Sequence, residues 1–295
     1  MRKNMSKIVL AYAKINLSLE VIGRRDDGYH DIITVMQMVD LHDTLTFTPA
    51  DDLTLESDSP ELAPIGENNI ALKAANALRD AAGTKMGAHI LLEKRIPLTA
   101  GLGGGSSDAA ATLRGLNDLW GLKLSKSELS EIGGNVGSDV PFLLGGPTAL
   151  VEGRGEHVTL VPSPPPCWVV LVYGRYDVAN KTQHLYNSLH KKDMSDGNTT
   201  RRLLSSLLDG DFPGPNLLAN TFERAAYNVF EGLEAVRHKV LLAGGREVHL
   251  SGSGPTLFTL FPPAHESSAK AMHQTLQSQG LEAHLTRTLT KRDLA

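Results

Sequence analysis

Cysteine occurs once in the 295 residues, at Cys167, which excludes an internal disulfide and a cysteine-built zinc cluster. Cys167 reads as a core residue at the start of a strand. The basic N-terminal stretch MRKNMSKIVLAYAKINL does not read as a secretion signal. Its apolar run is broken by Lys14 and Asn16, and no small-residue cleavage site follows. Together these predict a reducing, cytoplasmic location. Positive charge is not in excess either: 29 Lys and Arg stand against 33 Asp and Glu, a formal net charge of −4. That balance predicts neither a nucleic acid nor an anionic membrane surface as partner, and no obligate protein partner is evident. No apolar run approaches the roughly 20 residues a membrane span needs. Two common nucleotide signatures are also missing. There is no Gly-Lys dipeptide for a P-loop, and G-x-G-x-x-G fails because the sixth position counted from Gly101 is Ser106.

What is present is a globular composition, 41% hydrophobic and 21% charged, on a chain long enough for one large domain or two ordinary ones. Its most distinctive stretch is PLTAGLGGGSSDAAAT, residues 97–112. AHILLEKRI before it alternates, with Ala88, Ile90 and Leu92 on one face and His89 and Glu93 on the other, as in a half-buried strand. After it, apolar residues at Ala109, Leu113, Leu116 and Trp120 keep a helical period, with Gly121 as the stop. Ser106, Ser107 and Asp108 suit an N-cap or first turn. Glycines between a strand and a helix start let the backbone approach a ligand closely. The unpaired amides there carry a partial positive charge of about half a unit, which suits a phosphate.

Along the rest of the chain, KIVLAYAKINLSLEVIG predicts a strand bent or interrupted near Tyr12 and Ala13, RRDDGYH a turn, and DIITVMQMVDLHDTLTFTP further strands. ENNIALKAANALRDAAG predicts a helix capped by Asn68 or Asn69 and ended at Gly83. Ser125 and Glu128 form a capping box for a short helix. NVGSDVPF predicts a loop and GGPTALVEGRGEHVTLV a pair of strands. The stiff PSPPP stretch predicts a domain boundary, giving domains 1–161 and 162–295. Beyond it, WVVLV predicts a buried strand. NKTQHLYNSLH, TTRRLLSSLLD, NLLANTFERAAYNVF and LEAVRHKVLLAGG predict helices. EVHLSG, TLFTLF, ESSAKAMHQTLQSQG and LEAHLTRTL then complete a split βαβ order, and residues 191–200 predict a mobile loop.

Four further segments bear chemistry. Lys14 sits in the apolar AYAKINL, where a strand lysine also points to solvent. Asp139 in NVGSDVPF fits a turn-former as well as a base. DDGYHD offers Tyr29 beside His30, or a surface hairpin. HLSGSGPTLF offers two glycines between strands, or a hairpin turn.

Taken in order, these motifs carry a resemblance. P-x-x-x-G-L-G-G-G-S-S-D-A at 97–109 resembles the second motif of the superfamily of galactokinase, homoserine kinase, mevalonate kinase and phosphomevalonate kinase. AKINL resembles its first motif, with Tyr12 where the family usually has Pro, and LSGSGPTLF resembles its third. AKINLSLEVIGRRDDGYHDI, GSDVPF and GRGE are similar to the branch that phosphorylates a cytidine diphosphate derivative of methylerythritol on its 2-hydroxyl, in the non-mevalonate route to isoprenoids.

The resemblance implies an α+β, two-domain fold. Its N-terminal domain resembles domain 2 of ribosomal protein S5, its C-terminal domain is ferredoxin-like, and the active site lies in the cleft between them. It implies ATP and Mg2+ as cofactors and a small-molecule substrate. Asp139 is implied as general base and Lys14 as its catalytic partner. Pro97, Gly101, Leu102, Gly103, Gly104, Gly105, Ser106, Ser107 and Asn69 are implied at ATP, with Ser107 as a candidate metal ligand. Asn16, Tyr29, His30, Thr182 and Tyr186 are implied at the substrate, the two tyrosines stacking on cytosine and His30 bonding it. The alternatives are a homoserine- or mevalonate-type kinase of the same superfamily, or a non-catalytic nucleotide sensor on the same fold.

Overall fold

The computed structural model describes residues 6–59, 66 and 69–294. The chain begins with strands β1 (Lys7–Arg24), β2 (His30–Ala50) and β3 (Leu53–Ser57), helix α1 (Ile70–Ala82) and strand β4 (Gly87–Glu93). Helices α2 (Gly104–Trp120), α3 (Lys126–Gly134) and α4 (Val140–Gly145) follow, then strands β5 (Thr148–Gly153), β6 (His157–Leu160) and β7 (Trp168–Tyr173). Next come α5 (Lys181–Ser188), α6 (Asn198–Leu208), β8 (Ala219–Asn220), α7 (Glu223–Val229) and α8 (Leu233–Leu242). Strands β9 (His249–Leu250) and β10 (Leu257–Phe261), helix α9 (Glu266–Ser278) and strand β11 (Glu282–Arg287) complete it. Two compact units form: Met1–Ala13, Leu41–Leu98 and Gly103–Gly146 make unit 1, and Lys14–Asp40, Thr99–Leu102 and Pro147–Ala295 make unit 2.

In unit 1, the second half of β2 pairs antiparallel with β4, and β3 pairs parallel with β4. The alternation read from the sequence holds, since Ala88, Ile90 and Leu92 are fully buried. Helices α1 and α2 pack together, and α2 lies close on the sheet because Gly115 has no side chain. A Cβ there would come within 2.3 Å of the Phe47 ring. Asn69 caps α1, its Oδ1 accepting from the Ala71 amide at 2.8 Å, and Gly83 ends it in the left-handed region. Asn68 lies outside the described residues. The Ser125–Glu128 capping box is formed as expected.

In unit 2, the first half of β2 pairs antiparallel with β5, β5 pairs with β6, and β1 pairs parallel with β8 at Ser18 and Leu19. The C-terminal strands make a separate antiparallel sheet in the order β11-β7-β10-β9, the ferredoxin-like arrangement expected from the split βαβ pattern. Val170, Val172, Phe222, Phe230, Leu257 and Met272 belong to the core beneath it.

The structure departs from the sequence-based expectations in several places. Strand β1 runs unbroken through Tyr12 and Ala13. Residues expected as a loop after Asp139 form α4, because Pro141 is tolerated in a first helical turn and Val140, Phe142, Leu143 and Leu144 are all buried. Residues 216–222 were expected to be helical, yet Ala219–Asn220 forms β8; pairing with β1 outweighs local helix propensity. Residues 191–200, expected as a mobile loop, are tied to β1. The Ser195 amide donates to Val21 O at 2.8 Å, and the buried Glu20 accepts from the Thr200 amide at 2.6 Å.

Candidate active site

Helix α2 begins within the glycines, not at the serines. Gly103 is its N-cap, with φ +71, and the first α-helical bond runs from the Ser107 amide to Gly103 O at 2.8 Å. The amides of Gly104, Gly105 and Ser106 therefore precede the ladder. The N-cap, being glycine, offers them no side-chain bond, and no acidic residue lies in the first turn. A Cβ on Gly104 would sit 2.9 Å from Ile96, and one on Gly105 3.3 Å from Ile70, the neighbour of Asn69. This cradle of bare amides with tightly packed glycines suits the oxygens of a phosphate chain. Ser106 lies against the turn at Gly137, where a Cβ would be 3.5 Å from its hydroxyl. Asp139 follows two residues later, half-buried, at the N-cap position of α4 without capping it.

Ser107 is buried, and its hydroxyl donates to Tyr12 O at 2.7 Å, leaving its oxygen lone pairs for a cation. Among the described residues, no group of three or more His, Cys, Asp or Glu gathers that could hold a metal. The residues present therefore fit a Mg2+ carried mainly by nucleotide phosphates, with Ser107 as a protein contact.

Asp108, expected at the helix start, lies instead in the second turn and is buried. Lys94 pairs there with both Asp43 and Asp108, the latter at 2.7 Å. Asp43 also accepts from the backbone amides of Arg95 and Ile96. Burial, and then the neighbouring Asp43, push the Asp108 carboxyl well above the usual range despite Lys94. This triad fixes the strand end that leads into the glycines.

Unit 2 gathers the other motifs. Lys14 is buried and donates to Asn16 Oδ1 at 2.7 Å, while Asn16 donates to Thr34 Oγ1 at 2.8 Å. This chain of bonds orients both side chains. The Lys14 amide bonds Leu102 O at 2.9 Å, Ser251 Oγ bonds Gly101 O at 3.0 Å, and the Thr256 amide bonds Ala100 O at 3.1 Å. The start of the glycine loop, the first motif and the third motif thus form one backbone-bonded cluster. A Cβ at Gly252 would lie 3.1 Å from Lys14 Nζ and 3.3 Å from Asn16 Oδ1.

Gly101 has φ +84, and a Cβ there would come within 2.2 Å of Ser251 O and 3.0 Å of the Gly254 amide. Gly101→Ala is therefore expected to force these loops apart. Steady-state kinetics should show kcat/KM for ATP at least about tenfold lower; unchanged turnover would contradict the packing.

The substrate-side residues are also in unit 2. His30 stacks on Tyr186, centroids 4.7 Å apart, and Tyr186 meets Phe222 edge-on. Burial, then Arg24, hold the His30 pKa below its ordinary value, so the imidazole is neutral at pH 7 and offers one donor and one acceptor. Tyr29 is 54% exposed, with the Arg154 guanidinium 3.5 Å over its ring. Thr182 Oγ1 and Ser253 Oγ are 2.9 Å apart. Pro97 is half-buried ahead of the glycines.

Two participants were missed from sequence. Asn220 donates to Leu250 O and Gly252 O, both at 2.8 Å, and so shapes the third-motif turn. Lys181 donates to Thr99 O and Gly254 O, joining the start of the glycine loop to that turn. Neither lies in a glycine-rich motif. The signal for Asn220 was an amide in an otherwise apolar stretch.

The family model of the GHMP kinases N terminal domain matches residues 69–146. This match spans the glycine cradle and helices α1 to α4. A 4-diphosphocytidyl-2-C-methyl-D-erythritol kinase of Dehalococcoides mccartyi is 40% identical over 282 residues, 95% of this chain and 98% of that protein. One from Exiguobacterium sibiricum is 40% identical over 287 residues, 97% of this chain and 99% of that one. A crystal structure of 4-(cytidine 5'-diphospho)-2C-methyl-D-erythritol kinase superposes with a TM-score of 0.80 at 34% identity, covering 96% of this chain and 99% of its own. The chain belongs to the 4-diphosphocytidyl-2-C-methyl-D-erythritol kinase family. No helix of the described residues is long and apolar enough to cross a membrane.

Proposed function

We propose that the chain transfers the γ-phosphoryl group of ATP to the 2-hydroxyl of 4-diphosphocytidyl-2-C-methyl-D-erythritol. The observation that carries this is 40% identity over nearly the whole length to relatives bearing that substrate in their name. Asp139 is the general base on the accepting hydroxyl. An alcohol is too weak an acid to ionise alone near neutral pH, so a carboxylate takes the proton as the new O–P bond forms. Lys14, oriented by Asn16, stabilises negative charge on the hydroxyl and the transferred group. The amides of Gly103–Ser106 and the hydroxyls of Ser106 and Ser107 hold the ATP phosphates, while Pro97 contacts the nucleotide and Asn69 makes a polar contact near the adenine. Magnesium, when bound with the nucleotide, neutralises developing charge. Tyr29 and Tyr186 stack on the cytosine ring, His30 reads its edge, and Asn16 and Thr182 contact the rest of the acceptor. Stacking on an aromatic ring contributes about 1–3 kcal/mol. The division at the proline stretch, 1–161 and 162–295, belongs to this proposal, with the first domain carrying ATP and the second completing the acceptor site.

The test is ATP consumption with Mg2+ and parallel acceptors. Turnover is expected with the cytidine compound and absent with methylerythritol phosphate, homoserine and mevalonate. Turnover of an acceptor lacking cytidine would overturn the Tyr29–His30 assignment, and ATP binding without turnover of any acceptor would indicate a sensor.

A further inference from the structure

Strand β2 carries a run of buried apolar residues, Ile33, Val35 and Met36, and Thr34 among them is fully buried. A valine would fill the same space and keep the backbone pairing with Val151 of β5 without burying a hydroxyl. The hydroxyl is held between two partners. Thr34 Oγ1 donates to Ser18 O of β1 at 2.5 Å and accepts from Asn16 Nδ2 at 2.8 Å. A backbone carbonyl only accepts, and a hydroxyl has a single proton to give. The Thr34 proton is therefore committed to Ser18, and a lone pair faces Asn16. Asn16 meets that lone pair with its N–H2, which leaves its Oδ1 on the side of Lys14 Nζ, 2.7 Å away. Lys14, Asn16 and Ser18 are buried as well, so bulk water cannot replace a bond that is lost.

We propose that Thr34 is a positioning residue for phosphoryl transfer: its hydroxyl, committed in one direction by the Ser18 carbonyl, sets which end of the Asn16 amide faces Lys14. The inference rests on the kinase reading for the role of Lys14. Turned over, the amide would bring its N–H2 against the ammonium, and the two would repel. That repulsion acts on Lys14 whatever else meets it, Asp139 of the proposed mechanism included. With a methyl group in place of the hydroxyl, the Asn16 N–H2 loses its buried acceptor, and nothing at position 34 holds the amide in the orientation that Lys14 needs.

The test compares Thr34→Val, which removes the hydroxyl at nearly constant shape, with Thr34→Ser, which keeps it. At saturating ATP and acceptor, Thr34→Val should lower kcat about ten- to a hundredfold and leave KM for ATP within about twofold, since the glycine cradle is untouched. Thr34→Ser should bring kcat back to within about threefold of the wild type. A threonine that only packs would behave differently: both variants would lose thermal stability while kcat below the melting temperature held. Thr34→Val with kcat within about threefold of the wild type therefore overturns the proposal, and so does Thr34→Ser as slow as Thr34→Val. A second measurement needs no turnover. Deuterium exchange of the Asn16 side-chain N–H2, followed by NMR of isotope-labelled protein and assigned with Asn16→Ala, should be slow in the wild type and in Thr34→Ser. It should be at least about tenfold faster in Thr34→Val. Equal protection in the wild type and Thr34→Val overturns the proposal, as does fast exchange in the wild type, a result that needs no variant to fold. With the wild-type protons protected, failure of the wild type to phosphorylate the cytidine acceptor would count against the kinase reading alone.

Discussion

Asp139→Asn is expected to lower kcat for phosphoryl transfer by about 10²–10⁴-fold while leaving the dissociation constant for ATP within about twofold. The amide keeps the size and much of the hydrogen bonding of the carboxylate but takes up no proton at neutral pH. Asp139 is half-buried at the N-cap position of α4 and makes no cap bond, so α4 does not depend on the carboxylate for its first turn. Its backbone carbonyl accepts from the Leu143 amide at 3.1 Å, a bond the substitution leaves in place. The phosphate cradle is built from the amides of α2, which the change does not touch. Steady-state kinetics with nucleotide titration separate the two effects. A variant that retains kcat within tenfold would remove Asp139 from the role of base.

The second large effect is on stability. Lys94→Met leaves Asp43 and Asp108 buried beside each other without their shared ammonium, and should destabilise unit 1 by about 3–5 kcal/mol. Asp108→Asn, by contrast, should cost less than about 1 kcal/mol, because Lys94 keeps Asp43 as its partner. One Asp108 oxygen already lacks a hydrogen-bond partner. The double variant should recover part of the loss, since one of the two uncompensated carboxylates is gone.

The pH dependence follows from the raised Asp108 carboxyl. A group whose folded pKa lies above its unfolded value stabilises fully below the unfolded value, and that contribution fades as pH rises through the folded one. Without Lys94 the Asp108 carboxyl loses the cation that holds it down and rises further. The gap between wild type and Lys94→Met should therefore be smaller near pH 5 than near pH 8. Denaturant unfolding at the two pH values reads it directly; a gap independent of pH would mean that the triad's charges do not govern the loss.

Much of this was legible in the sequence because short-range patterns specify it. The alternation of Ala88, Ile90 and Leu92, the Ser125–Glu128 cap, the Gly83 stop and the split βαβ order each depend on neighbours a few residues apart. The glycines at 101–105 pointed to a helix start for the same reason, and α2 begins at Gly104. What escaped depends on partners distant in sequence. Asp108 looked like a helix-start residue, but α2 begins at Gly104, and in the second turn Asp108 meets Lys94, a partner from another strand end. Asn220 sits in a stretch with helical periodicity, but its pairing with β1 and its bonds to Leu250 and Gly252 decide its structure. Residues 191–200 are polar enough to suggest a free loop, yet the buried Glu20 anchors them. Lys181 carries no local signature, because its importance comes from two carbonyls 82 and 73 residues away.

The most direct measurement is phosphorus NMR of the product formed from 4-diphosphocytidyl-2-C-methyl-D-erythritol, Mg2+ and ATP. The account predicts one new phosphomonoester signal per acceptor, coupled to no other phosphorus, with the acceptor's diphosphate signals retained and an equal amount of ADP released. ADP release with inorganic phosphate as the only new signal, or a phosphoanhydride extending the existing diphosphate, would contradict transfer to the methylerythritol hydroxyl.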